Sequence, residues 1–515
     1  MPQAGPRPLL MIGWDAAAPS LVERWTADGT LPNLAALRAR GAHGRLASTA
    51  DWLAGSVWPT FYTGTPPSEH GIYHFLQWRS ERMKLARPTR DWLPARPFWR
   101  ALGPERRVVA IDLPMTYAPE PFRGVEVAGW ATHDRLSDPA CHPESLARWI
   151  RDEVGPPVAA LERYGLLSTR ALLKIRDRLV ANVAYVADLA EALIRREPAD
   201  LYLAVFGATH TAGHKLWDEA GVAHAVAPRD RDALQAALRD VYVECDRGLG
   251  RLLAAVPAGT RVIAFSLHGM GPNNNRTELL PAMLERILGE GRGSTTLGLL
   301  KRVRQLVPAR LRHQVKQLLP DSIQDRLTAF WRTGAEDWSR RRLVPQCADL
   351  QGYVGVNLEG REPQGIVEPG AEAEELLRRI EVGLGTFVDG DTGEPVVDAV
   401  KRGAELAPGR PGQCVLPDLI VRWAPSAVSG VRRIVSPEHG SIAWPTPGRS
   451  PDGRSGNHVA EGFLVAAGEG IPPGPIVGGH ILDLAPTACA LLGLPPLPGM
   501  AGTCLLETAT HRCGS

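Results

Sequence analysis

The chain has 515 residues, 44% of them hydrophobic, and carries 58 Lys or Arg against 56 Asp or Glu for a formal net charge of +2. That composition excludes a disordered chain, and the near balance of charge excludes nucleic-acid binding through overall electrostatics. The length exceeds one ordinary core, so one large α/β domain with insertions, or two domains, is expected.

In chain order, residues 9–12 read as a first buried strand, an apolar run far too short for the core of a signal peptide. Residues 108–111, 201–206, 262–266, 419–423 and 463–467 repeat the pattern. Short, nearly continuous apolar runs of this kind fit strands covered on both faces. Between them, residues 169–196 and 230–256 place apolar side chains at three- and four-residue spacing, which marks helices packed on a sheet. The alternation predicts a three-layer α/β/α sandwich around a mostly parallel central sheet. No stretch reaches the roughly eighteen apolar residues of a membrane span. Seven cysteines, an odd number without a CxxC pair, fit free thiols in a reducing cytoplasm.

Residues 291–342 differ in character, with twelve Lys or Arg against four acidic residues. They read as a basic helical insertion or cap over 291–345, a solvated face or a surface that attracts an anionic substrate. The remainder, 1–290 and 346–515, reads as one catalytic domain.

Five residues at strand ends or in loops carry the chemistry: Asp15 after the first strand, His210 and His214 in HTAGH, His268 in SLHGMG, and His458 in RSGNH. An open α/β sheet gathers its chemistry at such positions. Carboxylate and neutral imidazole are ordinary ligands of zinc, manganese or iron, so the set reads as a divalent-metal centre, with zinc the best match. Trp58 and Phe61, three apart, read as core packing. Asn273, Asn274 and Asn275 form a polar loop that either touches substrate or simply turns the chain.

The ordered series GWDAA, GSVWPTFYTGTPPSEHGIYHF, IDLPMTY, HTAGH, SLHGMG, LEGREPQGIVEPGAE, RSGNHVAEGFLVAAG and ILDLAPTACALLGLP resembles the alkaline phosphatase superfamily. Within it the chain is most similar to the type I phosphodiesterase and nucleotide pyrophosphatase branch, from about residue 8 to residue 505. The resemblance implies a two-metal site in which a Ser or Thr attacks phosphorus and water then hydrolyses the intermediate. By position, Asp15 and His268 would hold one ion, and His214, His458 and His210 the other. His70 and His74 would have supporting roles.

The departures from that pattern are specific. His210 stands where the family has Asp, and Leu267 replaces the Asp of an Asp-His pair. With two carboxylates gone, double occupancy should weaken, and His210, His214 and His458 offer a mononuclear alternative. Asp134, Asp218, Glu362 or Glu438 could restore the missing charge. Counting back from Thr63 and Gly64 puts Ala54 at the nucleophile's place. Ser56, two residues on at the start of a helix, is therefore the expected nucleophile, with Thr60 second and Ser48 or Thr49 behind it.

The expected function is metal-dependent hydrolysis of a phosphodiester or phosphoanhydride on a small anionic molecule. Group transfer or non-phosphate chemistry at a mononuclear site is one alternative, and a non-catalytic scaffold with this fold is the other.

Overall fold

The computed structural model describes residues 7–93, 95–132, 135–159, 167–217, 228–289, 323, 338–346, 348, 350–407, 416–444 and 453–506. Nearly all of the basic segment expected at 291–345 lies outside these residues, as do Asp134 and Asp218.

Nine strands form the central sheet, in the spatial order Gly474–His480, Ala42–Ala47, Glu461–Ala467, Arg261–Ser266, Leu9–Trp14, Leu201–Phe206, Val108–Ile111, Gly124–Ala128 and Ala140–His142. The middle strands run parallel, with Leu9 opposite both Leu201 and Arg261. Glu461–Ala467 is antiparallel to both its neighbours, so the sheet is mostly parallel, as the apolar runs predict.

Alternation along the strands explains the layering. Leu10, Ile12 and Trp14 enter a core covered by the helices Thr169–Arg196 and Pro228–Ala255, whereas Leu9 and Met11 enter the opposite core with Phe61, Tyr62 and Leu484. Helix Thr169–Arg196 begins where Ser168 accepts a hydrogen bond from the Ala171 N–H, a side-chain cap for an otherwise orphaned donor.

A second core collects buried residues from Leu279 to Trp444 around a four-stranded sheet of Leu343–Gln346, Gly352–Val356, Leu419–Trp423 and Val397–Arg402. The strand read at 419–423 therefore belongs to this smaller sheet. This lobe grips the loop that leads into the short helix Val57–Thr63: Gln351 Nε2 donates to the Ala50 carbonyl at 2.6 Å, and Arg422 holds the Asp51 carboxylate with contacts of 2.8 and 2.9 Å. Among the described residues, no helix is long and apolar enough to cross a membrane.

Candidate metal centre

Four elements bring the five candidate residues together. Asp15 follows the Leu9–Trp14 strand, where its backbone N–H donates to the Phe206 carbonyl at 3.1 Å. His210 and His214 lie one turn apart on the helix Ala208–Leu216, which begins one residue beyond the adjacent strand Leu201–Phe206. His268 follows Arg261–Ser266, the strand on the other side of Leu9–Trp14. His458 arrives on the strand Gly456–Val459, which pairs with Gly269–Pro272 and sets His458 opposite Met270.

Close approach of that hairpin to the helix depends on glycine. A Cβ on Gly456 would stand 2.3 Å from the Gly213 carbonyl oxygen, a backbone clash that no rotamer relieves. The contact delivers the Gly456 carbonyl to His214 Nδ1 at 3.0 Å.

All five side chains are buried. The His210 ring centroid lies 4.8 Å from those of His214 and His458, His214 and His458 are 4.8 Å apart, and His268 and His458 are 4.6 Å apart. One ligand nitrogen each from His210, His268 and His458 fall within 4.8 Å of one another.

Hydrogen bonds assign the protons. The Gly456 carbonyl only accepts, so His214 carries its proton on Nδ1. His210 Nδ1 lies 2.9 Å from Asp15 Oδ2, and Asp15 Oδ1 accepts from the Trp58 indole N–H at 2.9 Å. His210 Nδ1 therefore donates to the Asp15 carboxylate. His214 Nε2 is left as a lone pair that faces His210 Nε2 at 3.0 Å, a contact satisfied by a proton on His210 Nε2 or by a cation against both nitrogens. Two imidazole nitrogens about 2.05 Å from a tetrahedral ion would stand roughly 3.3 Å apart, so the donor set fits a metal.

Electrostatics favour the same state. Burial holds the His214 imidazole well below its ordinary value, with the Arg454 charge and the His458 and His210 rings acting in the same direction. A neutral imidazole is the form that ligates.

The residues expected as nucleophiles lie on the 48–60 segment, which meets the cluster where Trp58 bonds Asp15. Ser56 is fully buried, with Oγ 2.6 Å from the Leu53 carbonyl oxygen and 2.7 Å from Thr49 Oγ1. A hydroxyl has one proton, so Ser56 donates it either to the Leu53 carbonyl or to Thr49 Oγ1. Thr49 is half-buried and belongs to a turn that packs on the His458 strand. Thr60 Oγ1 instead meets His70 Nε2 at 3.0 Å, and Ser48 caps the Ala50 N–H.

Glu362 is tied to the Leu358 N–H and Arg361, and Glu438 is an exposed side chain beside His439, so neither brings a carboxylate to the histidines. The Asn273 to Asn275 loop staples the chain: Asn273 donates to the Arg454 carbonyl, Asn274 to the Ala424 carbonyl, and Asn275 accepts from the Thr277 N–H. Two contributors escaped the sequence reading. Trp58 packs edge-on against Phe61 as core, yet its N–H also anchors Asp15; buried Arg454 adds charge next to His214, and its place four residues before His458 was the available signal.

The model of the family described as type I phosphodiesterase / nucleotide pyrophosphatase matches residues 9–333. No curated protein sequence matches the chain. Among solved structures, phosphonoacetate hydrolase from Sinorhizobium meliloti 1021 in complex with phosphonoformate aligns at TM-score 0.51 and 13% identity, covering 95% of this chain and 96% of that one. Human ectonucleotide pyrophosphatase / phosphodiesterase 5 aligns at TM-score 0.46 and 14% identity, covering 96% of each chain. The first of these shares the fold seen here.

Proposed function

The chain belongs to the type I phosphodiesterase / nucleotide pyrophosphatase family, and from that premise we propose that it cleaves a phosphodiester or phosphoanhydride bond of a small anionic molecule at a divalent-metal centre. It is an enzyme of the phosphoester-hydrolase kind. Asp15, His210, His214, His268 and His458 make up the centre. The observation that carries this reading is the buried approach of His210 Nε2 to His214 Nε2 at 3.0 Å, with each ring held by a partner on its own Nδ1. Imidazole donors suit zinc, with iron and manganese the competing ions.

A divalent ion held there supplies positive charge against the phosphoryl oxygens. The chain's own groups do the rest. Asp15 and the Gly456 carbonyl hold two imidazoles in one tautomer, and Arg454 adds a fixed positive charge that favours an anionic substrate. Burial of all four rings keeps competing water away. Ser56 is the nucleophile in this reading; to attack it gives up its bond to the Leu53 carbonyl, and Thr49 is the hydroxyl placed to replace that contact. The buried thiols Cys141, Cys245 and Cys489 support a reducing, cytoplasmic setting.

The test is hydrolysis of bis(p-nitrophenyl) phosphate alongside elemental analysis. His458→Ala should lose bound metal and at least about 100-fold in turnover, since one ligand of a catalytic set is removed. Ser56→Ala should keep the metal and lose the turnover. Full activity in the His458 variant would sink the metal reading, and full activity in the Ser56 variant would move the nucleophile to Thr49.

A further inference from the structure

We infer that the histidine cluster holds one ion rather than two, and that Asp15 acts on it from outside, as the residue that positions His210. This rests on the metal reading above and departs from the two-ion arrangement that the family resemblance implies.

Donor count is the first argument. Two ions roughly 3.5–4 Å apart each need about three protein donors. The five residues here supply fewer, and among the described residues the metal-compatible group consists of His210, His268 and His458 with no carboxylate. Leu267, at the place of a family Asp, is buried in the apolar core that also holds Phe61 and Leu464. Glu362 and Glu438 are engaged elsewhere.

Geometry is the second. The rings of His210, His214 and His458 are mutually 4.8 Å apart and form one compact set, with His268 at its edge, 4.6 Å from His458 and 6.1 Å from His210. Nitrogens sharing one ion lie at most about 4.2 Å apart, twice a bond of about 2.1 Å. The 4.8 Å span of the trio therefore has to close by only roughly 0.6 Å on binding.

Asp15 supplies the third. Both carboxylate oxygens already receive protein donors, Trp58 on Oδ1 and His210 on Oδ2. A carboxylate that takes the Nδ1 proton of a ligating histidine fixes its tautomer and raises its basicity without touching the ion. Charge agrees: among the described residues Asp15 is the carboxylate bonded to these imidazoles and buried Arg454 adds positive charge beside His214, which leaves little anionic charge to offset a second dication.

The experiment saturates the full-length protein with zinc, removes excess ion and measures zinc per chain, then repeats this for Asp15→Asn and Trp58→Phe. The expected result is one zinc per chain in all three proteins, with affinity in chelator competition falling about 10- to 100-fold in Asp15→Asn. The cobalt(II)-loaded proteins should share one visible absorption band position, since the ligand set is unchanged. Two ions in the unaltered protein, or loss of the ion from a folded Asp15→Asn protein, would overturn the inference. If two ions bind and both are needed for phosphodiester turnover, the hydrolase reading survives without it; if none binds and turnover ignores chelator, both fall.

Discussion

His70 lies fully inside the core, where Nδ1 accepts the Ile72 N–H at 3.1 Å and Nε2 therefore presents its proton to Thr60 Oγ1 at 3.0 Å. Burial pushes its pKa down from 6.5 to about 3. Between those values the unfolded chain takes up a proton that the folded one refuses, so stability is full above pH 6.5 and declines as pH falls toward 3, by at most about 1.4 kcal/mol per pH unit. Thermal midpoints measured from pH 7 to pH 4 should fall less steeply in a His70→Asn protein than in the unaltered one; parallel curves would contradict the assignment. Residue identity was legible here only in part. The histidines at strand ends announced themselves by position, but nothing in EHGIYH tells that His70 faces Thr60, and nothing near Trp58 tells that its N–H reaches Asp15 across 43 residues. Ser56 shows the limit more sharply, because its chemistry depends on which of two neighbouring oxygens takes its proton, and only the folded loop sets that.

At the scale of elements, the helix Ala208–Leu216 and the strand Gly456–Val459 form the joint that closes the site. Gly456→Ala would drive a Cβ into the Gly213 carbonyl oxygen at 2.3 Å, whereas Gly213→Ala would meet the flexible Met270 side chain at 2.4 Å. We expect Gly456→Ala to lose about 1–3 kcal/mol of stability and much of its bound metal, with the Gly213 variant milder on both counts. Chemical denaturation and metal content check the ordering, and equal effects would show that the joint is not set by backbone contact. The long helices were readable because spacing of three and four persists over many turns, and Thr169–Arg196 runs as expected. Residues 419–423 were readable as a strand but not as a member of the smaller sheet, since an apolar run reports burial and says nothing of which strands it pairs with.

Over the whole molecule, the central sheet sets the candidate metal centre at the ends of its strands while the second lobe holds the 50–54 loop in place through Gln351 and Arg422. That second core was not legible as a unit, because its strands have the same apolar character as those of the main sheet and only the charge contrast of 291–342 stood out. The most direct test of the account is turnover of bis(p-nitrophenyl) phosphate by protein stripped with a chelator and then titrated with zinc. Activity should vanish on stripping and return in proportion to zinc bound at the histidine cluster. Undiminished hydrolysis by the stripped protein would contradict a metal-centred enzyme.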